Sequence, residues 1–172
     1  MDRRYILSRH EELRGLRVQE EPAWRDIAEM LSPEDNQFTG PKTKADYGAI
    51  YRGTGHGFVA FVHGAHEQLL AHTHQLGSVS IVVCGERAVS EAYVTMQARR
   101  RAEDGSLLEL RSTGRYLDRW ERRDGRWAIS ARHYVQELDD CWPTCRPGLE
   151  TTGRRDRSDP SYALFASLGD PA

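Results

Sequence analysis

Lysine is nearly missing from this chain. Only Lys42 and Lys44 stand among its 24 basic residues, the rest being arginine, a bias that coding composition explains as well as function does. Neither sign of charge is in excess. The 24 Lys and Arg against 26 Asp and Glu give a formal charge of −2, so the broad basic field that grips phosphate is absent and no nucleic-acid partner is expected. No run approaches the roughly 18 apolar residues of a membrane span. The start, MDRRYILSRHEELRG, lacks the apolar stretch of a secretory leader. A soluble, cytoplasmic protein with no membrane partner is expected. Cysteine is scarce: Cys84, Cys141 and Cys145 cannot all pair within the chain, and Trp142-Pro143-Thr144 separates the last two, which is not the CxxC spacing of zinc or thiol redox sites. Structural or incidental roles are assigned to all three.

What is present fits one domain: 172 residues, 38% of them hydrophobic, enough to close a modest core. The most legible stretch is 78–137, where runs rich in β-branched and aromatic residues alternate with turn chemistry. SVSIVV is followed by Cys84-Gly85-Glu86. AVSEAYVTMQARR is followed by Glu103-Asp104-Gly105. LLELRSTGRYLDRWERR and RWAISARHYVQEL are joined by Asp124-Gly125, a dipeptide suited to a tight hairpin turn. Four consecutive strands with short connections predict an antiparallel meander. The runs 87–101 and 106–122 are long for strands, which predicts twist, curvature and a bulge, with Gly114 at the bend.

Ahead of the meander, Phe58, Phe61, Val62, Ala65, Leu69 and Leu70 recur at helical spacing and predict a helix over 55–71, preceded by a short strand, AIYR. Residues 3–18 and 22–31 read as two short helices, and 32–46, with two prolines, as a loop. The chain divides into an N-terminal segment of the same domain at 1–44, a core at 45–140, and an irregular strap at 141–172 in which DPSYALF can dock on the body. The fold class is therefore α+β: N-terminal helices packed on a curved, mainly antiparallel sheet, with an internal pocket on the concave face.

The chemistry-bearing residues collect on that face. His72-Thr73-His74 enters the first long strand, and the two-residue period puts both imidazoles on one side. On the last strand Arg132, Tyr134 and Gln136 share a face, with Trp127, Ile129, Ala131, His133 and Val135 on the other. His74 and Arg132 can then meet in one pocket, a base beside a cation that holds an enolate or departing anion. The same histidine pair also fits solvent or backbone hydrogen bonding. Metal binding competes, since HxH occurs in metal folds and His56, His63 and His66 lie upstream. However, Gln75-Leu76-Gly77-Ser78 supplies no carboxylate after the pair, and no metal is expected. Asp46, Tyr47 and Tyr51 lie on the approach to the helix, where a carboxylate can act as base and a phenol can donate to a ligand oxygen; turn and core roles are the alternative. Glu91, Arg115, Asp118, Arg119 and Glu121 read as the charged outer face of the sheet, and Trp120 and Trp127 as a packing pair.

ADYGAIYRGTGHGFVAFV, HTHQLGSVSIVVCGERAVSEAYV and GRYLDRWERRDGRWAISAR, with a trailing GRRDRSDPSY, resemble the SnoaL-like branch of the nuclear transport factor two-like superfamily over roughly residues 45–162. The resemblance implies a cone-shaped α+β fold. It also implies a cofactor-independent lyase or isomerase of dehydratase type, akin to scytalone dehydratase, bile-acid dehydratase and hexachlorocyclohexane dehydrochlorinase, acting on a mainly apolar, cyclic small molecule. By position in the motifs His74 matches the family's base and Arg132 its arginine, with Tyr51 and Asp46 as further catalytic candidates and His72, Tyr47, Tyr116 and Tyr134 as substrate-binding walls. Self-association into a homo-oligomer through the outer sheet face is a further implication. The helix with a YxxxxD pattern that family members carry before ADYG has no counterpart here, leaving Asp26, Asp35 and Asp46 as candidate acids by composition. The same superfamily contains ligand-binding and assembly proteins without catalysis, such as dioxygenase small subunits, and that is the alternative function.

Overall fold

The computed structural model describes residues 36–43, 46–144, 152–154 and 158–167, and of 36–49 only the backbone. The two expected N-terminal helices, Asp26 and Asp35 lie outside the described residues. Six strands form one sheet in the order β2-β1-β6-β5-β4-β3. They are β1 Asn36–Thr43, β2 Asp46–Gly53, β3 Leu69–Cys84, β4 Arg87–Arg101, β5 Leu107–Arg123 and β6 Arg126–Pro143, with helix α1 at Gly55–His66 and a short helix α2 at Pro160–Ala166. The sheet is curved and mainly antiparallel; among the described residues the one parallel pairing joins Gln37–Thr39 to Ala131–His133.

The meander follows the turn chemistry. Gly85, Gly105, Asp124 and Gly125 all have positive φ, and the consecutive pair Asp124 at 51° and Gly125 at 80° makes the β5–β6 hairpin turn tight. On β4 the even positions Ala88, Ser90, Ala92, Val94 and Ala98 are buried, as strict alternation requires. Ile81, Ala88, Trp120, Trp127 and Ile129 form the core. The indole N–H of Trp120 donates to Ser90 Oγ at 2.9 Å. Burying a side chain such as Ile129, 1% exposed, contributes about 1.5–3 kcal/mol.

Curvature comes from the strands on either side of β4 and β5. Leu76 pairs with Val94 but Val79 with Ala92, so β3 holds an extra residue at 77–78. Arg119 pairs with Ala131 but Trp120 with Ile129, so β6 holds an extra residue at Ser130; a second register shift lies at Thr113/Gly114, at the glycine expected to mark the bend. Each bulge increases local twist and reverses which parity of residue points inward. Trp127 and Ile129 therefore share the concave face with Arg132 and Tyr134, a correction to the uninterrupted alternation that set them on opposite faces.

Three local expectations change. Residues 36–43, expected in a loop, form β1. Pro41 is tolerated there because β6 pairs only with 37–39. The helix expected over 55–71 stops at His66, where the Glu67 N–H closes the last turn on the His63 carbonyl at 3.1 Å. Leu69 then pairs with Arg100 as the start of β3. The strap expected from Cys141 begins as the end of β6, and its DPSYALF segment contains α2, where Asp159 accepts from the Ser161 N–H at 3.0 Å.

Candidate functional site

Between α1 and the concave sheet lies a cavity of about 250 Å³, just below the ligand-pocket range of roughly 300–1,000 Å³. Ile50, Phe58, Phe61, Val62, Val94 and Met96 give it apolar walls, and His74, Ser112, Tyr116, Arg132 and Tyr134 its polar groups. The helix wall is set by Thr54, whose side chain caps α1 by accepting from the Gly57 N–H at 3.1 Å.

The sheet register orders the polar groups in rows. His74 pairs with Met96 and Met96 with Ser112, Ala92 with Tyr116 and Tyr116 with Tyr134, and Ser90 with Asp118 and Asp118 with Arg132. Arg132 donates from Nε to Asp118 Oδ1 at 2.7 Å and from Nη2 to Oδ2 at 2.8 Å. Its guanidinium carbon stands 4.0 Å from the Tyr116 ring centroid. Burial works to lower the Arg132 pKa, and the charge and hydrogen bonds of Asp118 more than offset it, so the net shift is upward. Of the five N–H groups of an arginine two are taken by Asp118, leaving the others for a ligand. Burial raises the Tyr116 phenol above its ordinary pKa, with Arg132 pulling the other way. It stays a protonated donor.

Asp118 was the residue that sequence reasoning missed. Its charge suggested the outer face, yet it is 2% exposed. The signal was in the pattern: Asp118 shares parity with Tyr116 and Trp120 in an unbroken stretch of β5, so whatever buries Trp120 also buries Asp118. The other four charged residues lie at least partly in solvent, and among them Arg115 reaches Glu91 at 3.5 Å.

His74 lines the cavity, with His66 and His72 beside it: ring centroids are 5.6 Å for His66–His74, 5.7 Å for His72–His74 and 4.3 Å for His66–His72. Desolvation by the surrounding walls, followed by the nearby His66 and Arg132, lowers its pKa from 6.5 to about 4. The residue as a whole is nonetheless exposed to solvent. The depression is therefore weaker with water in the cavity and fuller once an apolar ligand has displaced that water. Among the described residues no carboxylate hydrogen-bonds to His74, and no group of three or more His, Cys, Asp and Glu side chains is placed to hold a metal ion.

The remaining sequence candidates fall as follows. Tyr116 and Tyr134 stand on the cavity wall with His74 and Arg132. His72 packs against His66. The Tyr51 hydroxyl donates to the Thr54 carbonyl at 2.9 Å, and its ring packs on Phe58 and Phe61 at 5.5 and 5.7 Å. Asp46 and Tyr47 belong to β2, with side chains outside the described residues.

The pattern of the SnoaL-like domain matches residues 35–133, more than half the chain. This chain belongs to the SnoaL-like family. The match starts ahead of the region read from the motifs, in step with the place of β1 in the sheet. No curated protein matches the chain in sequence. Among solved structures, the type 2 hexachlorocyclohexane dehydrochlorinase LinA is similar over 89% of this chain and 98% of its own, at 14% identity and a TM-score of 0.65. A scytalone dehydratase-like protein from Novosphingobium aromaticivorans is similar over 81% and 86%, at 15% identity and a TM-score of 0.61. The Kfla4162 protein from Kribbella flavida is similar over 81% and 93%, at 14% identity and a TM-score of 0.65. At these identities the likeness is one of fold, the cone of the nuclear transport factor two-like superfamily. No helix among the described residues is long and apolar enough to cross a membrane.

Proposed function

We propose that this SnoaL-like protein is a cofactor-independent lyase or isomerase that removes a proton from carbon in a small, mainly apolar ring. The observation that carries the reading is that His74 and the Asp118-held Arg132 line one apolar cavity. A neutral imidazole is the form able to accept a proton, and the depressed pKa keeps His74 neutral at physiological pH. Negative charge developing on the substrate offsets the cost of protonating His74 beside Arg132, whose remaining N–H groups stabilise that charge. In an elimination the C–H proton passes to His74, the bond to the leaving oxygen breaks, and the acidic imidazolium returns the proton to it as water. Catalyst and substrate together conserve atoms and charge, and no electrons are exchanged with a cofactor.

Tyr51 contributes by holding α1 through Thr54. Asp46 is kept as a proposed orienting acid for His74, with Asp26 and Asp35 beside it as alternatives. The fold likeness to a dehydrochlorinase and to a scytalone dehydratase-like protein supports a lyase, and the apolar walls support a cyclic substrate.

A panel of ring alcohols and enones, followed by absorbance for a new or lost conjugated double bond, tests the reading. Wild type turns over at least one member, and His74→Ala lowers kcat/KM about 10²- to 10⁴-fold. Full turnover by His74→Ala removes it. A second reading, a ligand-binding or assembly protein of the same fold, is favoured by the lack of a carboxylate on His74 among the described residues; tight binding of ring compounds without conversion would establish that reading instead.

A further inference from the structure

The Ser112 hydroxyl has no part in the proton transfer proposed above. It stands on the cavity wall with its oxygen 2.6 Å from the Tyr134 hydroxyl. A pair of hydroxyls shares one hydrogen in the bond between them, and a phenol, the stronger acid, is the better donor of the two. With Tyr134 donating, Ser112 keeps its own hydrogen, and its O–H is polarised by the bond it accepts. Among the described residues Ser112 has no other side-chain partner, and its side chain faces a cavity whose other walls are mostly apolar. With Tyr134 as the donor, the Ser112 hydrogen has no side-chain acceptor among the described residues until a ligand brings one.

The register fixes where that acceptor lies. Ser112 is in the same cross-strand row as His74 with only Met96 between them, two strand spacings or about 10 Å apart at the backbone. Arg132 is in the Asp118 row, six residues along β5 from Ser112. The cavity thus carries a cationic donor, Arg132, suited to an anion, and separately a neutral donor, Ser112, suited to an uncharged acceptor.

We propose that Ser112, backed by Tyr134, is a specificity-determining subsite that recognises a neutral acceptor oxygen, a ring ketone, on a ligand lying over Met96. The inference deepens the lyase reading and rests on it for the nature of the ring. Its recognition step is binding alone, so it is measurable where no turnover occurs.

The test is equilibrium binding of two probes of the same ring size, 1-tetralone and tetralin, which differ in the ketone. Wild type prefers the ketone about 3- to 10-fold, the range a single net hydrogen bond gives. Ser112→Ala abolishes the preference while binding tetralin as wild type does, Ser112→Thr restores it, and Tyr134→Phe reduces it. Infrared difference spectra of carbonyl-labelled 1-tetralone show a lowered C=O stretch in wild type and Ser112→Thr that Ser112→Ala lacks. Thermal melts confirm that each variant is folded. Wild type that binds both probes equally, or neither, overturns the proposal, as does an unchanged preference in Ser112→Ala. The two readings fail separately. Loss of the ketone preference in Ser112→Ala with no elimination from any ring alcohol in wild type retains the subsite and removes the lyase. Elimination abolished by His74→Ala with an unaltered preference in Ser112→Ala does the reverse.

Discussion

Asp118 holds Arg132 through two parallel hydrogen bonds of 2.7 and 2.8 Å, its own side chain shut off from solvent and that of Arg132 only 18% exposed. A buried carboxylate and guanidinium each cost several kcal/mol to desolvate, so neither is tolerated there without the other. The pair explains how an arginine stays charged inside an apolar cone. It also fixes the guanidinium over Tyr116, where its free N–H groups have a defined position.

The first prediction concerns that pair. Asp118→Leu leaves an uncompensated buried cation and lowers unfolding free energy by about 3–5 kcal/mol. Arg132→Met, which removes the cation and keeps the side chain's length, is harmful for the same reason in reverse. The double variant Asp118→Leu/Arg132→Met recovers much of the loss, because an apolar pair of similar volume leaves nothing unpaired. Urea denaturation of the four proteins completes the cycle, and additive losses would show that the two residues do not act as a unit.

The second prediction concerns pH. The pKa of His74 is about 4 in the folded protein against an ordinary 6.5. Between those values the unfolded chain binds more protons than the folded one, so His74 makes stability fall as pH is lowered from 6.5 through 4. Below pH 4 the full penalty is present; above 6.5 it is absent. The His74 C2 proton resonance should titrate below 6.5 in the free protein and move towards 4 once an apolar ligand fills the cavity. In a catalytically active protein the acid limb of kcat/KM should lie well below 6.5 for the same reason. A midpoint at 6.5 would mean that the cavity walls do not desolvate the ring.

How much of this was legible in the sequence depends on where the chain obeys its own period. β4 keeps strict alternation, and its inward residues could be read directly from AVSEAYVTMQARR. The hairpin turns were legible because Gly85, Gly105 and Asp124-Gly125 take backbone conformations that few other residues accept. β3 and β6 were harder. Each carries an extra residue that reverses its parity; Ser130 does not announce a bulge by composition, while Gly77 carries the same signal as Gly114 but stands at the edge of the run read as a strand. The identities of His74 and Arg132 as inward residues survived because both lie on the cavity side of the bulges. Asp118 did not survive, since a charged residue in a run of charged residues reads as surface until its partner across the strand is known. The strand β1 was hidden by Pro41 and Gly40, which look like loop chemistry but sit beyond the stretch that must pair with β6.

The third prediction tests the bend. Gly114 is buried, and a methyl group there would lie within contact distance of the Val135 carbonyl and 2.6 Å from the Tyr134 ring. Backbone on one side and a cavity wall on the other cannot both yield. Gly114→Ala should cost about 1–3 kcal/mol of stability, the usual range for overpacking, and should displace Tyr134 from Ser112. Loss of the 1-tetralone preference alongside a lowered melting temperature is the expected pair of readouts.

The last prediction separates support from chemistry at Tyr51. Its hydroxyl donates to the Thr54 carbonyl, and Thr54 in turn caps α1, so the phenol ties the end of β2 to the helix that carries Phe58, Phe61 and Val62. Tyr51→Phe keeps the ring that packs on Phe58 and Phe61 and removes only the hydrogen bond, at a cost of about 0.5–1.5 kcal/mol. Because α1 is one wall of the cavity, loosening it should weaken ligand binding severalfold and raise KM, while kcat on any substrate the protein converts stays within about twofold, the pattern expected when uniform binding is lost. A catalytic phenol would behave otherwise: kcat would fall about 10²-fold or more with KM little changed. Steady-state kinetics on Tyr51→Phe therefore decide whether this tyrosine holds the wall or contacts the ligand, and a fall confined to kcat would return it to the catalytic set.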